Sequence, residues 1–114
     1  MNFFNRILSK KKEILNPIDL SILNTDIHSH LIPGIDDGSP DIEVTLELLN
    51  KFQDLGYSKV ITTPHVMSDY YRNTPEIINK GLQEVRNAIE ANKLNIHIEA
   101  AAEYNLEPGF EELL

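Results

Sequence analysis

The 114-residue sequence contains neither cysteine nor tryptophan. Without cysteine there are no disulfides and no thiolate metal ligands, and a reducing compartment, the cytoplasm, is the expected location. With aromatic residues at only 7%, any core has to be aliphatic. No apolar stretch approaches the roughly 20 residues needed to cross a bilayer. The opening residues, MNFFNRILSKKKEILN, also lack the apolar run and small-residue cleavage site of a secretory signal. Positive charge is scarce: 10 Lys and Arg stand against 18 Asp and Glu, a formal net charge of -8. An acidic surface repels nucleic-acid phosphates, so nucleic acid is not an expected partner. A small phosphate pocket is still allowed, because bound metal ions can dominate the local field. Glycine-rich phosphate loops are missing too, which leaves nucleotide-driven phosphoryl transfer without support.

What is present reads as one small globular domain behind a distinct leader. In residues 1–23, Arg6 and Lys10, Lys11 and Lys12 give a basic stretch, and Phe3, Phe4, Ile7 and Leu8 would share one helical face. Such a segment can lie on an anionic membrane surface. The preferred reading is plainer: a leader that frays in water or packs on the domain. From Leu23 a rhythm sets in. A strand is predicted from Leu23 to Ile27. Ser39 as N-cap and Pro40 then start a helix with Ile42, Leu46, Leu49, Phe52 and Leu55 inward, and Gly56 stops it. A second strand covers Lys59 to Thr62. Thr74-Pro75 opens a second helix with the stripe Ile78, Leu82, Val85 and Ile89, and a third strand covers Ile96 to Ala101. Phe110 to Leu114 reads as the start of a further helix.

Strand, helix, strand, helix, strand is the grammar of an α/β fold with parallel strands and right-handed crossovers. Three strands cannot close a barrel, which takes about 250 residues, and an isolated three-stranded parallel sheet leaves both edges unpaired. The chain is therefore expected to be part of a protein roughly twice as long.

Candidate chemistry sits at the strand ends. In Asp26-Ile-His28-Ser-His30 a strand would turn both imidazoles to one face, where they can bind one transition-metal ion. A surface or core histidine pair is the alternative. Asp36 and Asp37 follow in a loop that Pro33, Gly34 and Gly38 allow to fold back, and a cation would relieve their mutual repulsion. A solvated Asp-Asp-Gly turn is the alternative there. His65 ends the second strand and Glu103 follows the third, so candidate ligands occur after three successive strands, where the carboxyl ends of a parallel barrel converge. His97, inside the third strand, is expected to be structural or surface-facing. Mixed imidazole and carboxylate donors suit manganese, iron or zinc better than calcium, and paired ions suit hydrolysis of phosphate esters. After His65, Arg72 could grip a substrate phosphate and Tyr70 and Tyr71 could stack on an aromatic ring. An exposed loop with a solvated arginine is the competing reading.

Asp26-Ile-His-Ser-His, Gly34-Ile-Asp-Asp-Gly, Thr63-Pro-His65 and Ala102-Glu103 together resemble the PHP (polymerase and histidinol phosphatase) superfamily. Within it they are most similar to the bacterial manganese-dependent tyrosine-protein phosphatases encoded with capsule and exopolysaccharide genes. The resemblance implies a distorted seven-stranded (β/α) barrel. Of that barrel, residues 24–114 would supply the amino-terminal part: three strands and two to three helices. It also implies a site for up to three divalent ions, usually manganese. His28 and His30 would hold the first, Glu103 would bridge the first and second, and Asp37 and His65 would hold the third, with Asp36 behind them. The family's remaining ligands would lie beyond Leu114, so this chain alone is expected to bind metal incompletely and to hydrolyse poorly. The implied substrate is phosphotyrosine on a protein, with a membrane-associated tyrosine kinase of polysaccharide export as partner. Alternatives are a PHP phosphoesterase for a small phosphate such as histidinol phosphate, a barrel nuclease, or a non-catalytic binding fragment.

Overall fold

A computed structural model describes residues 16–114, so the basic and amphipathic stretch expected near the amino terminus lies largely outside the described residues. The structure is α/β. Strand β1 (Thr25–Asp26) is followed by helix α1 (Ile42–Asp54), β2 (Lys59–Thr62), β3 (His65–Val66), helix α2 (Pro75–Ala91), β4 (His97–Ala100) and β5 (Glu103–Tyr104). Short 3₁₀ turns cover Ser21–Leu23 and Phe110–Leu113. Among the described residues no helix is long and apolar enough to cross a membrane.

The main sheet has the order β1-β2-β4, all parallel, with Asp26 beside Val60 and Val60 beside Ile98. A second parallel ladder pairs β3 with β5. It is the continuation of the first. Pro64 has no N–H to give, so the chain bends after β2. The Thr63 N–H turns to Ser29 O, and pairing resumes where Glu103 N–H donates to Pro64 O at 2.9 Å. Where the sequence predicts three uninterrupted strands, the structure has five short ones, with β3 and β5 carrying on the pairing of β2 and β4 past a break. The first strand is also shorter than predicted, because Leu23 belongs to the preceding turn and Ile27 leaves the sheet.

Both helices cover one face of the sheet. In α2 the predicted stripe is observed in full: Ile78, Leu82, Val85 and Ile89 are buried against Val60, Ile96 and Ile98. Thr74 caps it, its hydroxyl accepting from Ile77 N–H, and Pro75 occupies the first turn.

Helix α1 differs from the prediction at both ends. Asp41, not Ser39, is its N-cap, with the carboxylate accepting from Val44 N–H at 2.8 Å. Ser39 is instead buried, and its hydroxyl donates to Asp41 O. The inward face runs through Ile42, Thr45, Leu49 and Phe52, leaving Leu55 exposed. Thr45 belongs to that face at helical spacing but is polar, so a reading by apolar letters shifts the stripe onto Leu46 and Leu55. Gly56 stops the helix as predicted, with φ +96°, and any side chain there would press on Ser21.

Leu49 is completely buried between α1 and the sheet. Leu49→Ala is expected to cost about 2–5 kcal/mol through lost contact and the cavity left behind. Urea denaturation would show this as a lower midpoint with an unchanged slope.

Candidate metal centre

The segment after β1 is fixed by core hydroxyls. Thr62, at the inner end of β2, is fully buried; its hydroxyl donates to Ser29 O at 2.9 Å and accepts from Leu31 N–H at 2.8 Å. The Thr45 hydroxyl of α1 lies 3.0 Å from Leu31 O. Leu31 and Ile32 are buried in the aliphatic core, so the chain on the carboxyl side of His30 is anchored there. Ser39 N–H then donates to His30 O at 3.0 Å and closes the loop. Gly38 packs directly on His30: a Cβ at this position would overlap both His30 Cβ and its carbonyl oxygen.

The two adjacent aspartates have separate surroundings. Asp36 turns inward, its side chain only 1% exposed. Its Oδ2 accepts from the His30 ring at Nδ1 (2.8 Å) and from His65 N–H (3.1 Å), while Oδ1 accepts from Gly38 N–H (3.0 Å). Burial works to raise the Asp36 pKa, but these three donors, with His30 foremost, outweigh it and hold the carboxyl below its ordinary range. Asp37 turns outward instead, with Oδ1 3.4 Å from His65 Nε2. The Asp-Asp repulsion is thus relieved by hydrogen bonding and divergence even before any cation is considered.

The ladder between β3 and β5 places His65 in register with Glu103. Glu103 Oε2 lies 3.3 Å from His30 Nε2, 3.4 Å from His65 Nδ1 and 3.8 Å from His28 Nε2. That oxygen is buried and has no hydrogen-bond partner among the described residues. Two triads result, His28–His30–Glu103 and His30–Asp37–His65, each with donor atoms within 4.8 Å of one another. His28 and His30 meet through the loop beyond the strand rather than through the pleat of β1 that the sequence suggested; their ring centroids are 5.5 Å apart. All five residues singled out in the sequence, His28, His30, Asp37, His65 and Glu103, therefore surround one small space.

The donor set fits a cation. Donors each about 2.1 Å from a tetrahedral ion lie about 3.4 Å from one another, longer than a hydrogen bond. The spacings around Glu103 and Asp37 fall close to that value. An unpartnered buried carboxylate oxygen facing imidazole nitrogens is costly by itself and is satisfied by a metal. Asp36 completes the pattern, since a ligating imidazole usually gives its other N–H to a carboxylate.

Arg72 stands apart. Its Nε donates to Ser68 O at 2.6 Å in an exposed loop, and among the described residues it forms no ion pair. Tyr70 is 79% exposed. Tyr71 lies against His65. His97 is exposed at the start of β4, away from both triads. The sequence reading passed over Thr45, Thr62 and Asn73. Asn73 Nδ2 donates to both Ile35 O (2.9 Å) and His65 O (2.8 Å), tying the two ligand-bearing loops together. Its position just before a Thr-Pro helix start was the available signal.

A family model described as "Capsular polysaccharide synthesis, CpsB/CapC" matches residues 24–114. The chain belongs to the CpsB/CapC family. CapC from Staphylococcus aureus, provisionally designated a tyrosine-protein phosphatase, is 31% identical over 81 residues, covering 71% of this chain and 32% of CapC. The tyrosine-protein phosphatase YwqE of Bacillus subtilis is 26% identical over 73 residues, covering 64% of this chain and 29% of YwqE. The fold matches a chain from the crystal structures of Bacillus subtilis YwqE and Streptococcus pneumoniae CpsB, described as metal-dependent tyrosine phosphatases. The TM-score is 0.72 at 24% identity, over 77% of this chain and 36% of that one. This CpsB/CapC chain thus spans about a third of the length of the relatives it matches.

Two outcomes test the site's construction in the metal-free chain. Gly38→Ala should displace His30 and lower the thermal midpoint by several degrees, measured by circular dichroism. Because the folded Asp36 pKa is depressed, its contribution to stability is full above the unfolded value of about 3.9 and is lost as pH falls through the folded value. The stability gap between wild type and Asp36→Asn should therefore shrink as pH falls below about 4, measured by urea titrations across pH.

Proposed function

We propose that this chain supplies part of the metal-dependent site of a protein-tyrosine phosphatase acting in capsular or exopolysaccharide synthesis. The observation that carries the reading is the pair of triads sharing His30, built from residues in the loop after β1 and at the starts of β3 and β5. His28, His30 and Glu103 would hold one cation. Asp37 and His65 would hold another, and Glu103 Oε2 lies beside the imidazoles of both His30 and His65. Manganese is the preferred ion, and iron or zinc are compatible with the same donors. When bound, such cations supply Lewis acidity toward a phosphoryl group and lower the pKa of water.

The protein's own part is positional. Asp36 holds the His30 ring by its Nδ1 side, which leaves Nε2 directed at Glu103. His28 and Asp37, with side chains 65% and 63% exposed, line the open side through which a phosphate would enter. Arg72 is proposed to seat that phosphate. Its Nε is committed to Ser68 O, and its terminal nitrogens carry no hydrogen bond among the described residues. The family description and the tyrosine-phosphatase relatives support phosphotyrosine as substrate. A membrane-associated tyrosine kinase controlling polysaccharide export is the proposed partner, and the cytoplasm the proposed location.

Metal uptake and turnover test the reading together. Glu103→Gln should weaken manganese binding about 100-fold or more, beyond what loss of an outer partner costs, as measured by calorimetric titration. Manganese-dependent hydrolysis by the full-length protein should favour a phosphotyrosine peptide over a small alkyl phosphate and an oligonucleotide. Uptake by Glu103→Gln equal to that of wild type, or preference for the alkyl phosphate or oligonucleotide, overturns the assignment.

A further inference from the structure

His30 and His65 are both central to the cluster, but their rings are fixed in different ways. His30 Nδ1 is hydrogen-bonded to Asp36, which sets the plane and tautomer of that ring. The His65 ring has no hydrogen bond among the described residues; its nitrogens sit 3.4 Å from Glu103 and 3.4 Å from Asp37, beyond hydrogen-bond length. Its backbone is secured, since His65 N–H goes to Asp36 and His65 O accepts from Asn73. Backbone anchors leave χ1 and χ2 free. Two rings lie against it: His30, tilted by 36° at 4.5 Å between centroids, and Tyr71, the nearly parallel one, stacked at 5.7 Å with an interplanar angle of 15°.

From this geometry we infer that Tyr71 is a positioning residue whose ring sets the plane of the His65 imidazole. The inference rests on the metal-site reading for its consequence, though not for the contact itself. Tyr71 is suited to the task because it is held from both sides: its carbonyl accepts from Met67 N–H at 2.9 Å, and Asn73, two residues on, is tied to His65 O and Ile35 O. The loop thus closes on the histidine it supports. Offset, near-parallel stacking is a favoured arrangement of aromatic rings, and it restrains rotation about χ2 while leaving both nitrogens accessible. A hydrogen bond to either nitrogen would have occupied one of them. The Tyr71 ring is therefore committed to the protein, and the exposed Tyr70 is the tyrosine of this loop left to meet an aromatic substrate.

The experiment is nuclear magnetic resonance of the histidine side chains in the metal-free wild-type chain, Tyr71→Phe and Tyr71→Leu, followed by titration with cobalt. Wild type should show Tyr71–His65 ring contacts and upfield-shifted His65 imidazole protons. Phenylalanine should preserve the shift and bind cobalt within about twofold of wild type. Leucine should move the His65 resonances selectively, leave those of His97 in place, and weaken cobalt binding about tenfold with an altered visible spectrum. Absence of the ring contacts in wild type overturns the inference, and so do unchanged His65 resonances in a folded Tyr71→Leu. If wild type takes up no cobalt, the metal-site reading falls, while the metal-free spectra still decide the role of Tyr71.

Discussion

A single inward carboxylate ties the candidate site together. Asp36 Oδ2 receives the ring of His30 and the backbone of His65, residues carried by different strand ends and separated by most of a helix-containing crossover. Oδ1 receives Gly38 and tightens the turn that brings Asp37 round to the outside. An acceptor with two oxygens in a buried position can organise three donors at once. Because hydrogen bonds to an ionised group are about twice as strong as neutral ones, the arrangement tolerates the burial it needs. Without Asp36 the two loops would be held in register by their backbones, by the Thr62 and Thr63 hydroxyls on Ser29 and by Asn73, none of which touches the His30 ring.

Around that carboxylate the core is polar where it meets the site and aliphatic elsewhere. Ser39, Thr45 and Thr62 are buried and mutually or locally hydrogen-bonded, and they secure Ser29, Leu31 and the start of α1. A valine at any of these positions would pack, but it would leave the loop's carbonyls and N–H groups without partners inside the protein. Hydroxyls that bond the loop's own backbone in this way give it the rigidity normally expected of a strand. That explains how His28 and His30 converge even though the sheet ends at Asp26.

The same network accounts for what the sequence disclosed and what it hid. The helices were legible because their buried positions are apolar at helical spacing, as in Ile78, Leu82, Val85 and Ile89. The donors were legible because imidazoles and carboxylates recurring after strand-like runs are rare outside a site. Thr45, Thr62 and Asn73 were not, since threonine and asparagine are ordinary at helix faces and loops until their partners are known. The start of α1 was misplaced for a related reason: Ser39-Pro40 has the letters of a cap, but its hydroxyl serves the loop and Asp41 takes over the capping. The bend at Pro64 follows from the missing N–H, yet its consequence, the register of His65 with Glu103, depends on pairing across the sheet.

The cluster is graded from inside to outside. His30 and Glu103 occupy its inner side, where one is oriented by Asp36 and the other holds an oxygen that no hydrogen bond among the described residues satisfies. His28 and Asp37 stand at the solvent boundary with no comparable support. A site built this way keeps its inner donors fixed by the fold and leaves its outer donors able to adjust. His65 lies between the two: its backbone is hydrogen-bonded on both sides, while its ring is restrained by the rings of Tyr71 and His30 rather than by a hydrogen bond among the described residues. Since His65 faces Glu103 through one nitrogen and Asp37 through the other, it is the residue through which a rearrangement of the outer donors would reach the inner ones. The stiffness of that link depends on an aromatic contact, whose strength falls more gradually with displacement than that of a hydrogen bond.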